Sequence, residues 1–296
     1  MNSFLESIVE NKKREVENLP DFEKPGKSLY SRLMQSDNTI IAEIKRRSPA
    51  LGRFTEISVN EQVQSYVKGG AGAISVLTDQ AYFSGSIDDL QEVSTMLRDA
   101  SIPVLRKDFI VDIRQLYQAK MAGADVVLLI VAVLGERLNQ FIEVAHQIGL
   151  EALVEVHTED ECAIALDTDL KMLAVNNRNL HDFKVDIEVS HRLIKIIPSH
   201  IPCVSASGIS TQDQIKSLKN DGYRGFLIGD ALMNHADPEF MLRELLSPVI
   251  ASAAKQSSSC GVAKTAKNWI ATAASRPRND RVQLYSASDD EHGDSQ

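Results

Sequence analysis

The chain has 296 residues, of which 43% are hydrophobic and 25% charged, a composition typical of a globular protein. Its formal net charge of -9 gives no overall attraction for a phosphate backbone, so we expect no nucleic-acid partner. Length alone favours two domains, but α/β barrels of roughly 250 residues fold as single units.

The cysteines, the histidines and the apolar runs exclude several further classes of protein. Cys162, Cys203 and Cys260 are far apart and odd in number, so neither a disulfide framework nor a CxxC metal site is expected. The seven histidines also lack the spacing of metal ligands. The N-terminal segment has no apolar signal core, and the longest apolar run, 126–134, is far shorter than the ~20 residues of a membrane span. We therefore expect a soluble, cytoplasmic protein with no membrane partner.

From residue 39 to residue 246, strand-like apolar runs alternate with segments whose apolar residues recur at helical spacing. The runs are rich in Val, Ile and Leu on both faces, which is typical of strands buried in a parallel sheet. The runs are 39–45, 73–78, 102–109, 125–133, 151–156, 171–177, 201–207 and 225–229. Several helix-like segments between them, such as TQDQIKSLKNDG, end in glycine, the residue preferred just past a helix C-terminus.

Eight such strands alternating with helices predict an α/β fold, a closed (β/α)8 barrel over residues 39–246. A doubly wound open sheet is the alternative, but no GxGxxG turn follows the first strand. Residues 1–38 are predicted to form a helical extension that packs against one end of the barrel. Residues 247–296 are rich in Ser and Ala and end in an acidic stretch, so we expect a poorly ordered tail.

Charged residues near the ends of the predicted strands are candidates for chemistry. The active site of a barrel lies at the C-terminal ends of its strands, and burying a charge inside a sheet is costly. Glu43 and Lys45 are two residues apart and so share a face of the first strand. Lys107 ends the third strand, with Phe109 on the same face, and Glu155 lies in the fifth.

One such residue is most simply a strand-end charge that reaches water. Two ammonium groups and a carboxylate converging on one mouth are better suited to acid–base chemistry. We expect neighbouring charges and desolvation to bring the pKa values of the lysines toward neutrality. Asn176 and Arg178 end the sixth strand, whereas alternation places Arg106 and Arg47 on the opposite faces of their strands, where they are expected to be structural.

The ends of the last two predicted strands suggest a phosphate site. SASGIS and LIGDAL each place a glycine, Gly208 and Gly229, just after a strand. Backbone N–H groups at such turns can hold a phosphate, although simple turn formation also explains a single glycine. Asp230 is unusual for an anion pocket, so we expect its side chain to point away and only its backbone to contribute.

Several motifs together resemble one enzyme family. IAEIKRRSPALG (41–52) is similar to the signature of the indole-3-glycerol-phosphate synthases, and PVLRKDFI, LVEVH, NNRNL, SGIS and FLIGDALM follow in that family's order. The resemblance covers roughly residues 1–246. It implies a TIM-barrel enzyme of tryptophan biosynthesis that converts 1-(2-carboxyphenylamino)-1-deoxyribulose 5-phosphate into indole-3-glycerol phosphate, carbon dioxide and water. No metal or organic cofactor is implied, and other enzymes of the pathway are candidate partners.

The resemblance also implies a role for each matching residue. Lys107 would be the general acid that activates the substrate carbonyl for ring closure. Glu155 would be the acid–base partner in the later steps, with Glu43 and Asn176 shaping that site. Lys45 would bind the carboxylate or the phosphate and assist the dehydration. The expected binding residues are Ser48, Phe109 and Arg178 for the anthranilate ring and its carboxylate, and Ser207, Gly208, Gly229 and Asp230 for the phosphate.

One residue departs from the family pattern. Ala206 stands where the family usually has glutamate, as in SESGI, which predicts an effect on the fine tuning of the site rather than loss of activity. Two alternatives remain. A phosphoribosylanthranilate isomerase would need a cysteine and an aspartate at strand ends, but Cys203 lies inside a strand and no aspartate ends the first strand. The second alternative is a decayed barrel without enzymatic activity, which binds phosphosugars or serves as an assembly partner.

Overall fold

Eight parallel strands close into a barrel in the computed structural model, which describes residues 27–36, 38–48, 52–53, 58–180 and 182–247. The strands are β1 (Thr39–Ile44), β2 (Ala73–Leu77), β3 (Val104–Lys107), β4 (Val126–Ile130), β5 (Glu151–Val156), β6 (Met172–Asn176), β7 (Cys203–Ala206) and β8 (Gly225–Ile228). β1 pairs with both β2 and β8, so the sheet has no edge. The predicted (β/α)8 barrel is confirmed, and the open doubly wound sheet is excluded.

Helices follow the strands and cover the outside of the barrel. The helices are α1 (Leu29–Gln35), α2 (Val59–Gly69), α3 (Gln80–Phe83), α4 (Ile87–Met96), α5 (Arg114–Met121), α6 (Val131–Leu134), α7 (Leu138–Gln147), α8 (Glu159–Leu166), α9 (Glu188–Leu193), α10 (Gln212–Asp221), α11 (Asp230–Met233) and α12 (Pro238–Leu246). The glycine stops predicted from the sequence are present: Gly70 and Gly222 end α2 and α10 with φ values of 94° and 118°. A short antiparallel ribbon, Arg47–Ser48 with Gly52–Arg53, follows β1.

The fourth strand is shorter than its apolar run. The run 125–133 predicts one strand, but β4 ends at Ile130 and the next four residues form α6. Val131 and Leu134 of that helix are buried, as a strand would also require. An apolar run without periodicity cannot separate a buried strand from a buried helical turn, which is why the predicted boundary was wrong.

Alternating side chains divide the interior into two layers. Outward-facing apolar residues pack against the helices, while inward-facing ones such as Leu105, Leu128 and Leu153 fill the barrel. Helix α1 closes the N-terminal end, because its fully buried Leu29 and Leu33 pack with this inner cluster. Each such leucine contributes about 1.5–3 kcal/mol through burial.

The described part of the predicted N-terminal extension is therefore a short helix on the barrel's N-terminal end. Residues 1–26 and 248–296, including most of the predicted tail, lie outside the described residues. In the portion that the structure describes, no helix is long and apolar enough to cross a membrane.

Candidate active site

A cavity of about 710 Å³ opens at the C-terminal ends of the strands. It is lined by side chains from all eight strand ends, as expected for the active site of a barrel enzyme. Of the residues singled out in the sequence, those in the lining are Glu43, Lys45, Lys107, Phe109, Glu155, Asn176, Arg178, Ser207, Gly208, Gly229 and Asp230. Ser48 lies in the ribbon after β1, and its side chain is outside the described part of the structure.

Lys45 is held between two carboxylates. Its Nζ lies 3.1 Å from Oε1 of Glu43 and 2.6 Å from Oδ1 of Asp230. Burial acts to lower the pKa of Lys45, but the two carboxylates outweigh it, and the pKa lies above its ordinary value. The expectation of a lysine pKa near neutrality is therefore wrong for Lys45, whose surroundings favour its charged form.

The side chain of Asp230 does not point away from the site. Its Oδ2 lies 3.1 Å from Nη2 of Arg178, while Oδ1 contacts Lys45, so one carboxylate bridges two cations. The preceding Gly229 leaves room for the side chain of Glu43, because a Cβ at that position would lie 2.4 Å from Oε1 of Glu43. The prediction that Asp230 contributes only its backbone was wrong, since the attraction of two neighbouring cations turns its side chain inward.

Glu155 is the second buried acid of the cavity. Only 2% of its surface is exposed, and its Oε1 accepts a hydrogen bond of 3.0 Å from Nδ2 of Asn176. The Asn176 amide is fixed in turn, because its Oδ1 accepts from the hydroxyl of Ser207 and the backbone N–H of Arg178. Oε2 of Glu155 has no hydrogen-bond partner among the described residues. This oxygen is buried as well, so the carboxylate is only half satisfied by hydrogen bonds.

Lys107 ends β3 and projects its side chain into the same cavity. The outer face of the strand is anchored by Arg106, which donates to Oγ1 of Thr78, the carbonyl of Gln115 and Oδ2 of Asp108. This agrees with the expected structural role of Arg106. The anchored strand end directs the intervening Lys107 toward the barrel axis.

The turn after β7 has an unusual backbone conformation. Ser207 and Gly208 follow one another with φ values of 71° and 79°, in the left-handed region that few residues other than glycine adopt. Nδ2 of Asn177 donates to the carbonyl of Ser207 at 3.0 Å and so braces the turn from outside the barrel. Strained backbone of this kind persists where the surroundings impose it, often at functional sites.

The sequence did not predict the apolar wall of the cavity or the support that Asn177 gives to the turn after β7. Phe83 stacks on Phe109 with ring centroids 6.4 Å apart. Leu180, Phe183 and Val185, in the loop after β6, also line the cavity. Phe83 ends the short helix α3, and no periodicity marks the three loop residues. In the sequence, Asn177 is the second asparagine of NNRNL, next to Asn176 at the end of a predicted strand, and only this pair of polar residues marks it.

The departure at Ala206 lies within the barrel rather than on the cavity surface. Ala206 pairs in register with Asn176 and Leu227, and its side chain is buried in the inner cluster. Within the described ranges, no group of three or more His, Cys, Asp or Glu side chains could hold a metal ion.

Comparison with known proteins gives consistent matches. Residues 4–245 match the family model of indole-3-glycerol phosphate synthase. Similar proteins of that name include one from Bacteroides thetaiotaomicron, 40% identical in an alignment of 263 positions that covers 84% of this chain and 100% of that one. Another, from Exiguobacterium sp., is 44% identical over 247 residues, covering 82% of this chain and 96% of the relative.

Similarity to solved structures extends to more distant barrels. Thiamine phosphate pyrophosphorylase from Pyrococcus furiosus has a TM-score of 0.53 at 18% identity, covering 72% of this chain and 95% of that one. A chain of the tryptophan synthase α2β2 complex from the same organism has a TM-score of 0.51 at 15% identity, covering 71% and 96%. At these identities the likeness shows the fold alone.

Proposed function

The chain belongs to the indole-3-glycerol phosphate synthase family, and from that premise we propose which of its side chains carry out the reaction. The enzyme is a carboxy-lyase of tryptophan biosynthesis. It closes the ring of 1-(2-carboxyphenylamino)-1-deoxyribulose 5-phosphate, with decarboxylation and dehydration, to form indole-3-glycerol phosphate. One observation supports the assignment of roles most strongly: Lys107, the buried Glu155 and the ion-paired Lys45 all face one cavity.

Ring closure is assigned to Lys107. The ring carbon that bears the carboxylate attacks the ketone carbon of the sugar, and the carbonyl oxygen receives a proton as the new carbon–carbon bond forms. An ammonium group projecting into the cavity can polarise that carbonyl and supply the proton. Carbon dioxide then leaves, and the electron pair of its bond restores the aromatic ring.

Dehydration is assigned to Glu155, with Glu43 and Asn176 shaping its surroundings. The hydroxyl formed during ring closure leaves as water after protonation, and the adjacent carbon loses a proton to complete the indole double bond. The unpartnered Oε2 of Glu155 is suited to exchange these protons, while Asn176 fixes the other oxygen. Lys45 assists as a fixed positive charge, which its raised pKa favours.

Substrate binding is divided between two groups of residues. Arg178, Phe109 and Ser48 would hold the anthranilate carboxylate and ring, and the stacked pair of Phe83 and Phe109 provides an apolar surface for such a ring. Backbone groups at the ends of the paired strands β7 and β8 would hold the phosphate. These are Ser207, Gly208, Gly229 and Asp230.

The other readings have less support. A cysteine-dependent isomerase would need an accessible thiol, but Cys203 is buried and its pKa is raised to about 12 by burial. With Ala206 in place of a carboxylate, proton transfer rests on Lys107 and Glu155, and Lys45 contributes a positive charge. We also propose a cytoplasmic location and transient association with other enzymes of the pathway, by analogy with the family.

A fluorescence assay for indole-3-glycerol phosphate tests the function directly. The purified full chain should turn over the anilino-sugar phosphate, and Lys107→Met should lower kcat by about 10²–10⁴, the usual contribution of a positioned acid. Equal signals from wild type and Lys107→Met would contradict the proposal and favour the non-enzymatic barrel.

A further inference from the structure

The carboxylate of Asp230 is placed where an anion-binding site would be expected to exclude one. It lies 2.6 Å from Nζ of Lys45 and 3.1 Å from Nη2 of Arg178. Lys45 is buried, whereas the Arg178 and Asp230 side chains are 20% and 32% exposed, so water screens these contacts in part. Asp230 therefore pairs with Arg178, which the proposed function assigns to the substrate's carboxylate, and with Lys45, which the family resemblance assigns to its carboxylate or phosphate.

The two cations come from different strands. Lys45 follows β1 and Arg178 follows β6, and Asp230 lies at the start of α11 after β8. Long cationic side chains have many rotamers, and fixing each one costs conformational entropy. A single carboxylate that contacts both limits their freedom before any ligand arrives.

We propose that Asp230 is a built-in counter-anion, which holds the side chains of Lys45 and Arg178 in position and competes with the substrate's anionic groups for them. This inference rests on the proposed function. Asp230 is thus a positioning residue: its side chain prepares the cations for the substrate and weakens ground-state binding of the phosphate or carboxylate. Net repulsion between Asp230 and an incoming dianion acts in the same direction.

A simpler reading is that Asp230 only stabilises the start of α11, where an acidic residue is favourable. That reading and the counter-anion predict opposite effects on anion binding. Removing a merely structural carboxylate leaves anion affinity unchanged or lower, whereas removing a competitor raises it. A gain of affinity cannot result from partial unfolding.

The test is calorimetric titration of inorganic phosphate into the full chain and three variants. Asp230→Asn should bind phosphate about tenfold more tightly than wild type, because a neighbouring charge commonly changes an ionic equilibrium by tenfold or more. Asp230→Glu, which keeps the charge, should bind like wild type. Asp182→Asn is the matched control, since it removes an exposed carboxylate paired with Lys184 and outside the cavity lining.

Steady-state kinetics supply the second readout. Asp230→Asn should lower KM for the anilino-sugar phosphate and lower kcat several-fold, because the cations are no longer held in place. Phosphate binding by Asp230→Asn that is unchanged or weaker would overturn the proposal that Asp230 is a counter-anion. Absence of phosphate binding by both wild type and Asp230→Asn would overturn it as well. Absence of turnover in wild type would instead contradict the proposed function, while the phosphate titration would still decide the role of Asp230.

Discussion

Strand β5 carries a glutamate near each end, and the two carboxylates have different surroundings. Glu151, at the N-terminal end, accepts hydrogen bonds from the hydroxyl of Ser28 and from the backbone N–H groups of Leu29 and Tyr30. Glu155, four residues later on the same face, has one oxygen bound to Asn176 and one without a described partner. Glu151, with both oxygens hydrogen-bonded, attaches helix α1 to the barrel. Glu155, with one oxygen that has no described partner, lines the cavity.

The N-terminal and C-terminal ends of the barrel also differ in the residues that surround these two glutamates. At the N-terminal end, apolar side chains of α1 fill the barrel opening and acids bind backbone N–H groups. At the C-terminal end, a lysine paired with two carboxylates, a strained turn and an apolar wall surround a cavity. The barrel thus separates residues that stabilise the fold from residues that can react, which is the usual division in this architecture.

The largest expected effect is on catalysis. Glu155→Gln keeps the size of the side chain and an oxygen that can accept from Asn176, but it cannot exchange a proton. We expect kcat to fall about 10²–10⁴-fold. The free energy of unfolding should stay unchanged or rise, because a buried carboxylate with an unsatisfied oxygen does not favour folding. Kinetics and urea denaturation of the same preparation test this, and a parallel loss of stability would argue against a catalytic role.

Glu151→Gln should have the opposite pattern. Losing the charge weakens three hydrogen bonds at the start of α1 and its favourable interaction with the helix dipole. We expect the free energy of unfolding in urea to fall by about 1–3 kcal/mol. The exposed Glu92→Gln, which changes the net charge equally, serves as the control and should differ little from wild type.

The smallest effect concerns pH. Burial raises the pKa of Asp125 at the N-terminal end, although hydrogen bonds from Val104 and Lys27 and the charge of Lys27 oppose the shift. Because the folded pKa is higher than the unfolded one, the folded state binds more protons between the two values. Wild-type stability therefore falls relative to Asp125→Asn as pH rises through that interval. Urea denaturation of both proteins from pH 3 to pH 7 measures it, and a difference that is independent of pH would contradict it.

The sequence predicted the barrel and most of the cavity lining for a simple reason. Apolar runs mark buried strands, and alternation determines which face of a strand Lys45, Lys107 and Glu155 share. Where a strand ends, alternation no longer applies. For this reason the apolar run 125–133 predicts a strand through α6, and the sequence does not show that the side chain of Asp230 turns inward.

Long-range electrostatics and the packing of loops could not be predicted from the sequence either. Against desolvation, the pKa of Lys45 is raised first by Glu43, two residues earlier, and then by Asp230, which is 185 positions later in the chain and comes close only when the barrel closes. The stacking of Phe83 on Phe109 likewise joins helix α3, which follows β2, to the segment after β3. Such contacts carry no local pattern that a single sequence displays.

The most direct test of the separation between the two ends is a paired measurement on β5. Turnover of the anilino-sugar phosphate and the free energy of unfolding are determined for wild type, Glu151→Gln and Glu155→Gln in one buffer. We predict a crossed result: Glu151→Gln loses stability and keeps kcat within about twofold, and Glu155→Gln loses kcat and keeps its stability. A loss of kcat in Glu151→Gln as large as that in Glu155→Gln, in fully folded protein, would contradict the account.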